Sequence, residues 1–372
     1  MSRHANAELR RLRRATRLLF CLAIPGYAAC TSCERIDEGV PSCADCRITL
    51  DPVIRFGADA NAMAPAYEAV ITRKRSGELY VAPLETPGVI GVFDVQGKLI
   101  RSIGRTGDGP GEFRSINYIS FLEGDTLVVA DRVQSTLTFF APNDSFVRRV
   151  SSHSLINKVL AAPGGGLVLA IQSNRADIGP LQIVTRDGAT RRVFGRDDGE
   201  SFERLSYRRI AFHPGGDLWA ARTNEYRLDV YDLAGTLVRS VRRSVEWFPR
   251  LTHETLQSFA DRPEPPQLTL LRDIVIDDAA RIWVIIDCSN PAWRPPADQD
   301  PTRRLSVSDI NARVRHVIEV LDTRTGGMIA TRDFDDELLM GFLDERHVFG
   351  VRELTDGSLE AFIMEMRLLD AR

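Results

Sequence analysis

From about Tyr67 to the C-terminus, apolar residues come in short runs that alternate or are β-branched, each bounded by Gly, Asp, Asn or Ser. Runs of this length and period predict β-strands. One unit recurs: strand, tight turn, strand, variable loop, strand, tight turn, strand. Unit one reads Tyr67–Ile71, Leu79–Ala82, Ile90–Asp94 and Leu99–Ile103. Unit two reads Ile116–Phe121, Thr126–Ala130, Thr136–Phe140 and Phe146–Val150. Unit three has Lys158–Ala161, Leu167–Ile171, Leu181–Thr185 and Thr190–Phe194, and unit four Arg209–Phe212, Leu218–Ala221, Arg227–Tyr231 and Leu237–Val241. Unit five has Asp273–Ile276, Arg281–Ile286, His316–Leu321 and Met328–Arg332; unit six stops after three strands, Leu338–Phe342, His347–Arg352 and Leu359–Met366.

The glycine of the first turn recurs as Gly77, Gly124, Gly165 and Gly216, at intervals of 47, 41 and 51 residues. Four short strands per repeat of this length describe one blade of a β-propeller. Such a blade cannot bury both faces alone, so the blades must stack around an axis. Before unit one stands an orphan strand, Ile48–Phe56. Pairing it with the incomplete unit six removes an open edge, and Pro52 suits an outermost strand, where no N–H is needed. The expected fold is all-β: a six-bladed β-propeller over residues 47–372, with the N-terminal strand closing the last blade.

The N-terminus carries a different signal. Arg10, Arg11, Arg13, Arg14 and Arg17 precede a short apolar run, Leu18–Ala29. This is the layout of a secretory signal peptide over residues 1–29. The run is too short to span a bilayer and contains Pro25 and Gly26. Gly26-Tyr27-Ala28 suits ordinary cleavage, whereas Tyr27-Ala28-Ala29-Cys30 resembles a bacterial lipobox, which implies lipidation of Cys30. The expected location is the cell envelope, lipid-anchored, or else periplasmic or secreted. Five of the six cysteines fall in the first 46 residues. Residues 30–46 form a cysteine-containing tether. Its Cys30-x2-Cys33-x9-Cys43-x2-Cys46 spacing fits a thiolate zinc site, but an oxidising compartment favours disulfides among Cys33, Cys43, Cys46 and Cys288. The connectivity stays open.

The formal net charge is −3, with charged residues at 27% and hydrophobic residues at 44% of 372. No global field draws this chain onto nucleic acid. It has enough apolar content for a core.

The stretch Ile103-Gly-Arg-Thr-Gly-Asp-Gly-Pro-Gly-Glu-Phe-Arg114 resembles the inter-blade signature of NHL-type propellers. Asp125–Asp131 and Phe139-Phe140 match that family's second and third strands. A fainter echo, Phe194–Phe202, lacks the Pro-Gly. The whole chain is also similar to six-bladed propeller lipoproteins of bacterial envelopes. The resemblance implies the fold and leaves the activity unassigned.

Turns joining strands one to two and three to four are short and lie on one face. The connections between strands two and three, and between blades, lie on the other. The long ones are Gly104–Glu112, Asp197–Ser206, Ser244–Leu270, with a short helix expected at His253–Asp261, and Asp287–Arg315. Long loops on a rigid scaffold are where binding concentrates. The candidate ligand-binding residues at that end are Arg105, Asp108, Asp131, Arg132, Arg222, Asn224, Asp287 and Trp293. Arg105, Arg132, Arg175 and Arg222 could form an anion-binding ring. Trp293, among prolines, could present a flat contact. Trp219 and Trp283 belong to the core, and Trp247 fits either setting. The histidines stand at no metal-ligand spacing, and His213 and His316 read as structural. No nucleophile elbow occurs, and Gly104–Gly111 lacks the Lys-Ser/Thr ending of a phosphate loop.

Two readings follow. The first is a binding or scaffolding module for a protein, peptide or glycan, without cofactor, expected as a monomer and touching a membrane only through a lipid anchor. The alternative is a metal-dependent hydrolase or lyase of the six-bladed lactonase type. Asp131, Asn174, Asn224, Glu225 or Asp287 would then hold calcium at the channel mouth.

Overall fold

The computed structural model describes residues 33–37, 41–56, 69–83, 86–152, 155–172, 179–196, 208–251, 268–290, 293, 307–334 and 337–370. Two strands precede the repeats, β1 (Cys33–Asp37) and β2 (Arg47–Phe56). Blade one is β3 (Ala69–Arg73), β4 (Leu79–Pro83), β5 (Ile90–Phe93) and β6 (Leu99–Ile103). Blade two is β7 (Ile116–Phe121), β8 (Leu127–Asp131), β9 (Thr136–Phe140) and β10 (Phe146–Ser151). Blade three is β11 (Leu155–Ala161), β12 (Leu167–Gln172), β13 (Leu181–Val184) and β14 (Thr190–Phe194). Blade four is β15 (Arg208–Phe212), β16 (Leu218–Arg222), β17 (Arg227–Tyr231) and β18 (Leu237–Ser244). Blade five is β19 (Leu270–Ile276), β20 (Arg281–Ser289), β21 (Val314–Asp322) and β22 (Met328–Phe334), with α1 (Val307–Arg313) leading into β21. Blade six is β23 (Leu338–Asp344), β24 (His347–Glu353) and β25 (Leu359–Leu369).

Blade six takes its fourth strand from the N-terminus. β2 pairs antiparallel with β25 from Arg47↔Leu369 to Phe56↔Ala361, as the orphan strand predicted. The ladder shifts register between Pro52 and Ile54, which accommodates the missing proline N–H. The residues before β2 are more than a tether. β1 adds a fifth strand to blade four, parallel to β18. The Ser42 and Cys43 amides then donate to the Met328 and Ile329 carbonyls on the outer strand of blade five. The N-terminal segment is therefore a strap along the rims of blades four, five and six.

The turn glycines Gly77, Gly124, Gly165 and Gly216 all have φ between +73° and +100°, the left-handed region a side chain disfavours. That requirement is why glycine recurs there. Second strands are among the most buried elements: β4, β8 and β16 have no residue more than marginally exposed. Their alternate faces pack on both neighbouring blades. Ala220 faces the blade three side with Val168 and Leu181, while Ala221 joins Ile274 and Ile286 of blade five. Trp219 (4% exposed) and Trp283 (2%) are core residues, as their strand positions predicted.

The two faces differ less evenly than loop lengths in the sequence suggested. Arg132–Ser135 in blade two and Thr223–Tyr226 in blade four are tight connections on the loop-rich face. In blade five the ladder runs past Asp287 to Ser289↔Val314, so the connection begins at Asn290. The helix expected at His253–Asp261 lies outside the described residues.

Candidate ligand-binding site

The predicted site residues fall into two groups. Arg105, Asp108, Asp131 and Arg132 stand at the junction of blades one and two. Asp131 (2% exposed) is buried at the end of β8. Its Oδ2 accepts from the Arg114 and Ser115 amides (2.6 and 3.1 Å), and its Oδ1 from the Val133 and Gln134 amides (2.9 and 2.8 Å). All its near lone pairs are committed to folding two loops. Asp108 pairs with Arg114, and Arg105 Nε donates to Glu112 Oε1 at 2.6 Å. Arg149 reaches into the same loop and donates to the carbonyls of Asp108, Gly109 and Glu112. The fully buried Phe113 plugs its base against Phe140. Arg132 is exposed and bonds Ser115. The charged groups of this junction are satisfied within the turn, while Gln134 Oε1 and Thr136 Oγ1 are buried without a hydrogen-bond partner.

Arg222, Asn224, Asp287 and Trp293 stand at the loop-rich end of blades four and five, where charge is buried. Between blades three and four, Asp229 (0% exposed) accepts from Arg222 Nε (3.3 Å), Arg227 Nε (2.6 Å) and Ser240 Oγ (2.5 Å). Glu225 lies 3.8 Å from both Arg222 and Arg242 and 3.9 Å from Arg250. Between blades four and five, Tyr226 Oη and Arg243 both donate to Glu319, and Arg243 also lies over the Tyr226 ring at 4.8 Å. Burial holds the Glu319 carboxyl above the usual carboxylate range, against the pull of Arg243 and Tyr226. In blade five, His316 (1% exposed) stands directly across the ladder from Asp287. Its Nδ1 donates to Asp287 Oδ1 at 2.9 Å, and Arg272 Nε reaches both oxygens of the same carboxylate (2.9 and 2.8 Å). Burial alone would raise the Asp287 pKa, but Arg272 and His316 outweigh it and hold the group well below the usual range. The carboxylate can only accept, so Nδ1 carries the hydrogen and Nε2 is buried with no partner. Asn224 Oδ1 and Arg227 Nη1 are likewise buried without a hydrogen-bond partner. Trp293 is half-buried under the Arg313 guanidinium, 4.3 Å from the ring centroid. Trp247, half-buried, stacks edge-on with Tyr226 and Phe248.

A third arrangement was not foreseen. A cavity of about 420 Å³ runs along the axis, lined by the innermost strands of all six blades. The ladder registers place Val70↔Ala82, Tyr118↔Ala130, Lys158↔Ala170, Arg209↔Ala221, Asp273↔Ile285 and Gly341↔Phe349 at one level. This belt has a polar half on blades two to five and an apolar half on blades six and one. Lys158 Nζ donates to Asp273 Oδ1 at 3.0 Å, bridging blades three and five past blade four. Asp273 is itself tied to the Ile274 and Phe342 amides (2.9 and 3.1 Å). One step along, at the register shifts of β7 and β11, stand Asn117 and Asn157; Asn117 Oδ1 and Asn157 Nδ2 are buried and unpartnered. The repeated Ile116-Asn-Tyr-Ile119 and Ile156-Asn-Lys-Val159 were the sequence signal for this belt.

Cys43 and Cys46 form a disulfide, while Cys288 is buried and free, so it does not join an even set of bonded cysteines. Burial pushes the Cys288 thiol up to about 12. Among the described residues, Cys43, Cys46 and Asp370 are the one group of three metal-ligating side chains close enough to share an ion, and its two thiols are already bonded to each other. Cys30, Asn174 and Arg175 lie outside the described residues. No described helix is long and apolar enough to cross a membrane.

The fold is that of a six-bladed β-propeller, and the comparisons agree. A family model described as 6-bladed beta-propeller matches residues 76–176, the turn of blade one through blade three's second strand. A protein of Bacteroides vulgatus, a member of the DUF4221 family, superposes with a TM-score of 0.61 at 9% identity, covering 87% of this chain and 99% of its own. A Bacteroides fragilis protein named as exported superposes at 0.58 with 10% identity, covering 91% of this chain and all of its own. No curated protein sequence matches. At these identities the likeness is one of fold.

Proposed function

We propose that this chain is an exported propeller that binds a protein, peptide or glycan at the loop-rich end of blades four and five. The observation that carries this is a group of buried side-chain atoms without a hydrogen-bond partner there, among them Asn224 Oδ1, Arg227 Nη1 and His316 Nε2. A buried polar atom without a partner costs about 1–3 kcal/mol. Folded proteins keep few of them, and those on a loop-rich end with charged and imidazole groups call for a partner. Export is supported by the basic and apolar leader, by the Cys43–Cys46 disulfide and by the exported structural relative. A lipid anchor at Cys30 and an NHL-type character for the Ile103–Arg114 loop belong to the same reading.

One observation favours an enzyme instead. His316, oriented by Asp287 and bare at Nε2, has the arrangement of a general base. Binding of envelope glycans and peptides to the purified protein, compared with Asn224→Ala and His316→Ala, separates the two. The binding reading expects Asn224→Ala to weaken capture about tenfold with an unchanged melting temperature. Equal capture by that variant overturns it. Stoichiometric calcium in the purified protein, with hydrolysis or elimination lost in His316→Ala, establishes the enzyme.

A further inference from the structure

We propose that the groove between blades three and four on the short-turn face is a second binding site, one for a small amphipathic carboxylate. This goes beyond the loop-end reading and does not depend on it. A repeated contact between blades breaks at this groove. In blades one to five the outer strand opens with a bulge, where the ladder skips Ile100, Val147, Arg191, Val238 and Ile329 in turn. Four of these are aliphatic, and blade three has the arginine. The residue that follows is Arg101, Arg148, Arg192 and Arg239 in blades one to four. Arg101 donates to Asp144 of the blade two turn at 2.7 and 2.9 Å. Arg148 lies over the Phe139 ring at 4.3 Å, and its charge acts on Asp187 of the blade three turn. The Thr185 hydroxyl and, more weakly, Arg148 hold that carboxyl below its usual range. Arg239 donates to the Thr323 and Arg324 carbonyls of the blade five turn at 3.1 and 2.7 Å. Each of these bears on an acceptor of the following blade.

Arg192 meets instead the blade four turn, where the corresponding places hold Leu233, Ala234 and Gly235. Gly235 cannot carry the carboxylate that Asp144 does, because a Cβ there would come 2.9 Å from the Phe194 ring. Among the described residues, Arg192 has no hydrogen bond or ion pair, and neither have its neighbours Arg186 and Arg191. A bulge re-aims a side chain, and all three arginines line the groove. The carboxylate among the described lining residues is Asp232, whose Oδ1 accepts from the Ala234 and Thr236 amides (2.9 and 2.8 Å). Counting Asp187 and Arg148 beside it leaves four arginines against two carboxylates. The rest of the lining is largely apolar: Val168, Ile183, Phe194, Phe212 and Leu218, with Leu233 exposed at the rim. The volume, about 480 Å³, lies inside the roughly 300–1,000 Å³ range of small-molecule sites. The arginines are exposed, so charge alone holds an anion weakly and the apolar wall must supply part of the affinity. The planar guanidinium fork matches a carboxylate. A ligand with one carboxylate and an apolar body brings to blades three and four what Asp144 brings to blades one and two.

The test compares three probes of one shape by calorimetry on the full mature protein at low salt: 4-phenylbutyrate, 4-phenylbutanol and 4-phenylbutylamine. The butyrate should bind about tenfold more tightly than the amine, with the alcohol between. Raising the salt to about 0.5 M should narrow that gap. Arg192→Gln should weaken the butyrate severalfold. Ala234→Asp puts a carboxylate where blade three has Asp187; it should weaken the butyrate about tenfold and leave the alcohol unchanged. Asn224→Ala should leave all three probes unchanged, so this site and the loop-end site fail separately. Equal or tighter binding of the amine, no binding of any probe at millimolar concentration, or undiminished butyrate binding in a folded Ala234→Asp overturns the proposal. The wild-type ranking needs no variant to fold.

Discussion

The blade one–two junction and the loop-rich end of blades four and five present a contrast. Both carry dense charge. At the junction, each carboxylate meets a nearby amide or arginine within one loop, and the result is mortar between blades. At the blade four–five end, charges are buried in pairs across strands, and polar atoms of charged and ligand-capable side chains, Arg227 Nη1, Asn224 Oδ1 and His316 Nε2 among them, lack a hydrogen-bond partner. The junction carries the recognisable motif, whereas the other end carries residues that do not repeat. A repeated motif reports what every blade needs, and departures from the repeat report what this protein does with the scaffold.

The sharpest way to break the contrast is at the junction. Phe113→Ala should destabilise the fold by about 4 kcal/mol, since the ring is fully buried. Asp131→Ala should cost about 3 kcal/mol by stranding four amides. Denaturant titration measures both, and neither should change affinity beyond the loss of folded protein. Asp287→Asn comes next, at about 3 kcal/mol near neutral pH, as expected when one partner of a buried ion pair is removed. Because the folded protein holds Asp287 below its ordinary range, the wild type's advantage is complete above about pH 4 and drains away as the pH falls further. Stability curves of wild type and variant should therefore converge in acid; parallel curves would show that the Arg272 and His316 contacts do not set its charge state.

Asn224→Ala inverts the junction result. Its Oδ1 has no donor, so removing it should shift stability by less than about 0.5 kcal/mol despite burial. A loss comparable to that of Asp131→Ala would erase the distinction between the two regions. The smallest effect belongs to Asp108→Asn. That carboxylate is largely exposed beside Arg114, and the melting temperature should barely move, even at low salt.

The fold was legible because its constraints are local. Strand period, turn glycines and an unpaired strand at each end of the repeat suffice to place the blades, and Ile48–Phe56 closed the ring as its pattern required. The site was legible only in part. Arg222, Asn224 and Asp287 could be placed at the loop-rich end because strand ends are visible in sequence. Their partners could not: Glu319, Arg243 and Tyr226 meet only when two blades pack, and in sequence they read as ordinary alternation. The axial belt was harder still. Lys158 and Asp273 are brought together by ring closure, and one residue's step at each register shift decides which side chain reaches the axis.

The rim strap has a consequence for timing. Ile48 pairs with Leu368, so closure of the ring joins strands more than three hundred residues apart. Neither a nascent chain nor one threading through an export channel can make it until its final strand is free. Until then β25 is an open edge and the six blades are an unlocked row. Folding of this kind is dominated by distant contacts and is slow. Under the export proposed above, a chain crossing a membrane unfolded would gain from that delay, because the disc would lock only after translocation.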